Sequence, residues 1–122
     1  MKIIGIGVDI VNIARVERVF EKFGPKFTRK ILSNREMRQH SVDARFLAKR
    51  FAAKEAIAKA LGTGFRNGVT MPCISIEKNS LNQPQVILDG AAQARLISMG
   101  GRDVLLSLSD EVDTVVAFAV VR

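Results

Sequence analysis

The sequence predicts an α+β domain, a mainly antiparallel sheet packed on one long helix. Three observations carry this. Apolar residues alternate with period two near both ends of the chain, at 3–11, 104–109 and 114–121. Between them RFLAKRFAAKEAIAKALGTG, at 45–64, is a run of helix formers that stops on glycine. Two further short alternating segments flank NSLNQP at 79–84, which reads as a hairpin. The 122 residues, 48% hydrophobic and 25% charged, suit a single soluble globular domain spanning 1–122.

Residues 3–11 form a strand with two unlike faces, Ile4, Ile6, Val8 and Ile10 on one and Gly5, Gly7 and Asp9 on the other. Glycine inside a strand marks the close approach of a ligand or another backbone. Asp9 is then a carboxylate at the end of a bare face. Asn12 caps a helix through Ile13, Val16, Phe20 and Phe23, stopped by Gly24-Pro25. Arg15, Arg18 and Lys22 share a face of that helix. SNRE at 33–36 has the form of a capping box and opens a short helix to about His40. His40 is the only histidine and has no cysteine nearby, so it reads as a surface residue, not a zinc ligand or a triad member. The long helix follows from near Asp43 to the glycines at 62–64. Strands at 73–77 and 85–88, an alanine-rich helix at 90–99, and strands at 104–109 and 114–121 around the acidic turn 110–113 complete the chain.

The long helix has an unusual charge setting. At 100° per residue, Glu55 is surrounded by Ala44, Ala48, Phe51, Ala52, Ala58 and Gly62, with Lys59 one turn on. The opposite face, with Phe46, Ala53, Ile57, Ala60 and Leu61, is a core stripe. The helix is expected to pack on its bulky side and to present Glu55 on a small-residue side that something approaches closely.

Net charge is +7, and all of the excess lies in residues 1–50, with twelve Lys and Arg against five Asp and Glu; residues 51–122 hold seven of each. Such a balance suits an acidic partner: nucleic acid, an anionic membrane surface, an acidic protein or a phosphorylated small molecule. The absence of Trp and Tyr leaves little for base stacking, which argues against nucleic acid. A lone cysteine, Cys73, no 18-residue apolar run and no signal-peptide pattern at the start point to the cytoplasm and away from membranes.

Asp9 and Glu55, each on a small-residue surface, are the makings of a site for a hard divalent cation such as Mg²⁺, which takes one or two carboxylates and completes its shell with water and phosphate oxygens. Arg45, Lys49 and Lys59 fall on one flank of the long helix beside Glu55 and suit phosphates. The GTG at 62–64 lets backbone N–H groups approach an anion. Together these residues suggest metal-assisted chemistry on a pyrophosphate or phosphate ester.

GIGVDIV at 5–11 and FAAKEAIAKALGTG at 51–64, with ARFLAKR at 44–50, RNG at 66–68, the NSLNQP hairpin and SLSDE at 107–111, resemble the bacterial holo-[acyl-carrier-protein] synthases, the small 4′-phosphopantetheinyl transferases. The resemblance implies transfer of 4′-phosphopantetheine from coenzyme A to a serine of apo acyl carrier protein, releasing adenosine 3′,5′-bisphosphate and supporting fatty acid biosynthesis. By the same resemblance Asp9 and Glu55 are magnesium ligands, Glu55 activates the serine, and Lys59 steadies or protonates the leaving phosphate. Arg45, Lys49, Lys54, Lys59 and Gly62, Thr63 and Gly64 would line coenzyme A. Arg15, with Arg18 and Lys22 on its helix, would meet the acidic carrier protein. The family also implies a homotrimer with active sites between subunits, the helix of one chain facing Asp9 of its neighbour.

One departure stands out. Many members read H-[VI]-S-[IL]-[ST]-H near the end, where this chain has Leu105 and Asp110. A non-catalytic protein that binds carrier protein is therefore the alternative to an active transferase, with a basic nucleic-acid module as a third reading.

Overall fold

The computed structural model describes residues 2–39 and 41–122, so the reading of His40 lies outside the described residues. Strand β1 (Gly5–Asn12) leads into α1 (Ile13–Phe23), whose first turn is capped by Asn12 Oδ1 accepting from the Arg15 N–H at 3.2 Å. Gly24 closes α1, its N–H donating to the Phe20 carbonyl, but Pro25 does not end helical structure. It opens α2 (Pro25–Ile31), which the sequence reading leaves unassigned. Proline's fixed φ and missing N–H suit a first helical position. The capping box then forms as expected at the start of α3 (Asn34–Gln39), Ser33 N–H donating to Glu36 Oε1 and Glu36 N–H to Ser33 Oγ.

Asp43 caps the long helix α4 (Ala44–Ala60). A short 3₁₀ turn (Met71–Cys73) leads to the hairpin of β2 (Ile74–Lys78) and β3 (Pro84–Leu88), followed by α5 (Gly90–Ser98), β4 (Val104–Asp110) and β5 (Thr114–Val121). All strand pairs are antiparallel, but they form two sheets and not one: β1-β5-β4 and β2-β3. The first and last strands of the chain lie side by side, Gly5 opposite Val121 and Asp9 opposite Ala117.

Helix α4 lies across the three-stranded sheet and is buried almost all round, including Leu47, Ala48, Ala52, Ala53, Ala56, Ile57, Ala58 and Ala60. Its small-residue side is closely approached, as the sequence reading expects, with Ala48, Ala52 and Ala58 fully buried. The chain's own β1 and β5 pack on the helix, β1 meeting it at Ala56 and at Ala60 of the stripe read as core. Gly5 and Gly7 lie so close to the helix that a Cβ on either would run into the carbonyl oxygens of Ala60 and Ala56. The bare face of β1 thus serves a helix backbone and not a ligand. Facing residues on β5 are small or β-branched, Val115, Ala117, Ala119 and Val121, all fully buried. The other face of β1 turns Ile4, Ile6, Val8 and Ile10 outward, beside Val116 and Phe118 of β5 and Leu105 of β4, all exposed.

Gly7→Ala is expected to cost about 2–3 kcal/mol, because the added methyl meets backbone that has no free volume to yield. The urea midpoint checks this. A loss below about 0.5 kcal/mol would mean that α4 can move off the strand without penalty.

Candidate functional site

The first side chain on the inward face of β1 after the two glycines is Asp9, and α4 brings Glu55 and Lys59 to it. Lys59 Nζ donates to Val8 O at 2.9 Å and to Asp9 Oδ1 at 3.2 Å. The Asp9 carboxylate is largely buried and the Lys59 ammonium half exposed. Asp9, Glu55 and Arg15 line one pocket of about 360 Å³, whose apolar wall includes Val19, Phe27 and Phe51. Phe27 comes from α2 and was invisible without it. Burial raises the Glu55 pKa above its ordinary value, the Asp9 charge raises it further, and Lys59 opposes both.

The Asp9–Glu55 pair lies within one chain. That corrects the expectation that α4 of one subunit faces Asp9 of its neighbour. The pair also suits a hard divalent cation. The Asp9 charge disfavours ionisation of Glu55, a dication relieves that repulsion, and two carboxylates are the usual protein share of a magnesium site. Among the described residues no cluster of three or more His, Cys, Asp or Glu could hold a metal by protein ligands alone.

Other predicted site residues go elsewhere. Arg45 is clamped to the β4–β5 turn, Nη1 donating to Asp110 Oδ2 at 2.9 Å and to Glu111 O at 3.1 Å, and Nη2 to Val112 O at 2.7 Å. Lys49 Nζ lies 3.6 Å from Asp110 Oδ1 and lines a separate groove of about 610 Å³ with Lys78, Asn82, Gln85 and Ser107. Asp110 is thus the counter-charge of that basic pair. Its row in the sheet is two strands and two residues from that of Asp9, about 12 Å by strand spacing, so it is no metal neighbour within the chain. Leu105 pairs with Val120 on the outward face of the sheet, away from Glu55.

Lys54 is not available to a cofactor. It is completely buried, and its ammonium donates to Glu36 Oε1, Ile31 O and Met71 O, which consumes all three N–H groups. The expected phosphate cradle at 62–64 is also not as the sequence suggests. Gly62 N–H donates to Lys59 O and Gly64 N–H to Ala58 O, so both glycines finish the helix, each at positive φ. Arg95, not singled out from the sequence, seals the same end by donating from Nε to Leu61 O at 2.7 Å. Arg18 and Lys22 are exposed on α1 with Arg15, as their spacing predicts.

A family model described as the 4′-phosphopantetheinyl transferase superfamily matches residues 5–115. The holo-[acyl-carrier-protein] synthase of Halorhodospira halophila is 45% identical over 121 residues, 97% of this chain and 96% of that protein. The crystal structure of the holo-[acyl-carrier-protein] synthase of Neisseria meningitidis superposes with a TM-score of 0.90 at 44% identity, covering 99% of each chain. That of Helicobacter pylori, solved in complex with coenzyme A, gives a TM-score of 0.85 at 31% identity over 96% of this chain and 99% of that one.

A carboxyl whose pKa is raised by folding favours its protonated form, so the folded state loses stability as pH rises from the ordinary 4.5 through the raised value. Glu55→Gln removes that loss. Without metal, the variant is expected to melt above wild type at pH 8, with the difference shrinking toward pH 4. A lower melting temperature for the variant at pH 8 would show that favourable contacts hold the ionised carboxylate.

Proposed function

This chain belongs to the 4′-phosphopantetheinyl transferase superfamily and, within it, to the holo-[acyl-carrier-protein] synthases, and on that footing we propose that Asp9, Glu55 and Lys59 form its reacting centre. The reaction transfers 4′-phosphopantetheine from coenzyme A to a serine of apo acyl carrier protein. The observation that carries the assignment is the apposition of Asp9 on β1 and Glu55 on α4 across one pocket, with Lys59 bonded to Asp9.

Asp9 and Glu55 would hold magnesium, which when bound polarises the transferred phosphoryl group and offsets its charge. Glu55 takes the serine proton. Lys59 keeps one N–H beyond its bonds to Val8 and Asp9 for the phosphate that leaves with adenosine 3′,5′-bisphosphate. The serine oxygen–phosphorus bond forms as the bond to that departing phosphate breaks. Arg15, on the rim of the pocket, and the exposed Arg18 and Lys22 offer an acidic carrier protein a basic approach to Glu55.

Arg45 and Lys49, held by Asp110, and Thr63 of the turn remain the candidate contacts of the coenzyme, without Lys54 and with the Gly62 and Gly64 N–H groups already spent on the helix end. In one chain the Lys49 groove and the Asp9–Glu55 pocket share no lining residue. A homotrimer joins them by placing the groove of one subunit against the pocket of the next. The exposed apolar face of Ile4, Ile6, Val8, Ile10 and Phe118 supports such an assembly. Leu105 lies in that face, where it serves packing and not hydrogen bonding. A lone cysteine suits a cytoplasmic enzyme supplying carrier protein for fatty acid biosynthesis. No helix among the described residues is long and apolar enough to cross a membrane.

Incubation with apo acyl carrier protein, coenzyme A and Mg²⁺ should add one phosphopantetheine mass to the carrier protein. Glu55→Gln should slow this roughly 10²- to 10⁴-fold. No mass gain at any enzyme level would leave the non-catalytic alternative standing. Arg15→Glu should raise the KM for carrier protein about tenfold and leave that for coenzyme A unchanged. An unchanged carrier-protein KM would remove Arg15 from the docking surface.

A further inference from the structure

Helix α4 meets the sheet through alanine and glycine, a smooth contact that sets the distance between the two backbones but offers few interlocking side chains to resist rotation. What resists rotation lies on the other side of the helix. Lys54 Nζ is held by Ile31 O at 2.5 Å, Glu36 Oε1 at 2.6 Å and Met71 O at 3.1 Å, acceptors on three separate segments. Glu36 reaches back to the helix a second time, Oε2 lying 3.1 Å from Arg50 Nε one turn before Lys54. That second contact is off line for a hydrogen bond and acts through charge. Glu36 is itself fixed by the capping box and by the Ile76 N–H at 3.2 Å, and its side chain and that of Lys54 are both 0% exposed. Charges so buried have no water to turn to, so a rotation that separated them would leave both unpaired.

Glu55 is the next residue after Lys54. A carboxylate about 6 Å from a helix axis moves about 1 Å for every 10° of rotation, and an error of that size in a reacting group costs on the order of 10²-fold in rate. We propose that Glu36 is a positioning residue: through Lys54 and Arg50 it fixes the rotation of α4 that points Glu55 at Asp9. This rests on the reading of Asp9 and Glu55 as the metal site.

The test uses Mn²⁺ alone as the probe, titrated into metal-free protein by electron paramagnetic resonance well below the melting temperature, alongside kcat and KM. Glu36→Gln keeps the capping box and strips the charge. Lys54→Met removes the ammonium but leaves Glu36 paired with Arg50, so it decides the matter if the first variant does not fold. Both should weaken Mn²⁺ binding about tenfold and lower kcat about 10²-fold, with the KM for coenzyme A within about twofold. Wild-type Mn²⁺ affinity and kcat in folded Lys54→Met would overturn the proposal even if its melting temperature falls, since a purely structural role leaves the folded molecules' metal site intact. Glu55→Gln is the control: undiminished Mn²⁺ binding there would overturn the metal-site reading itself.

Discussion

The molecule is built on one close approach, the bare glycine face of a strand resting on the backbone of a helix. At Gly7 the space a Cβ would take is filled by the carbonyl oxygen of Ala56, and at Gly5 by that of Ala60. Two consequences follow for the site. Asp9 becomes the first side chain to emerge along the inward face of β1, and it emerges beside α4 at the level of Glu55 and Lys59. The strand's outward row of isoleucine and valine is left without cover inside the chain. One contact therefore sets both the apposition of Asp9 with Glu55 and the exposure of an apolar sheet face.

Charge is handled in three different ways along α4. Lys54 and Arg50 are driven inward, where burial lowers the pKa of each and Glu36 pulls it back up. Two cations then share one carboxylate in the core, an arrangement that fixes geometry more than it adds stability. Glu55, the neighbour of Lys54, sits half-buried with an acidic neighbour, and its pKa is raised by burial and by the Asp9 charge. Arg45 and Lys49 lie at the surface and are held by Asp110 of the β4–β5 turn. A phosphate arriving there would compete with that carboxylate.

Much of this was legible in the residues. The alternation at 3–11 and the alanine setting of Glu55 identify the two carboxylates, and S-x-x-E identifies the start of α3. What periodicity cannot say is which partner covers a face. Alanine and glycine tolerate solvent, ligand or backbone equally well; only the folded chain shows that Ala48, Ala52 and Ala58 are fully buried and that β1 rests on the helix at Ala56 and Ala60. Lys54 and Lys59 are alike on paper. One is buried because a glutamate 18 residues earlier waits in the core, and that pairing is not local. The glycines at 62–64 read as an anion cradle until the Gly64 N–H proved to close back on Ala58. Helix α2 escaped notice because Gly-Pro reads as an ending, although proline is equally suited to a beginning.

The central claim is that one chain supplies both carboxylates of a reacting centre. Subunit mixing tests it most directly. Chains carrying Asp9→Ala and chains carrying Glu55→Ala are co-expressed, and phosphopantetheine transfer by the mixed assemblies is compared with that of each variant alone. If Asp9 and Glu55 act within one chain, no assembly contains a complete pair and the mixture stays as inactive as its parents. Recovery of transfer on mixing would mean that the pair forms between chains, and would contradict the account.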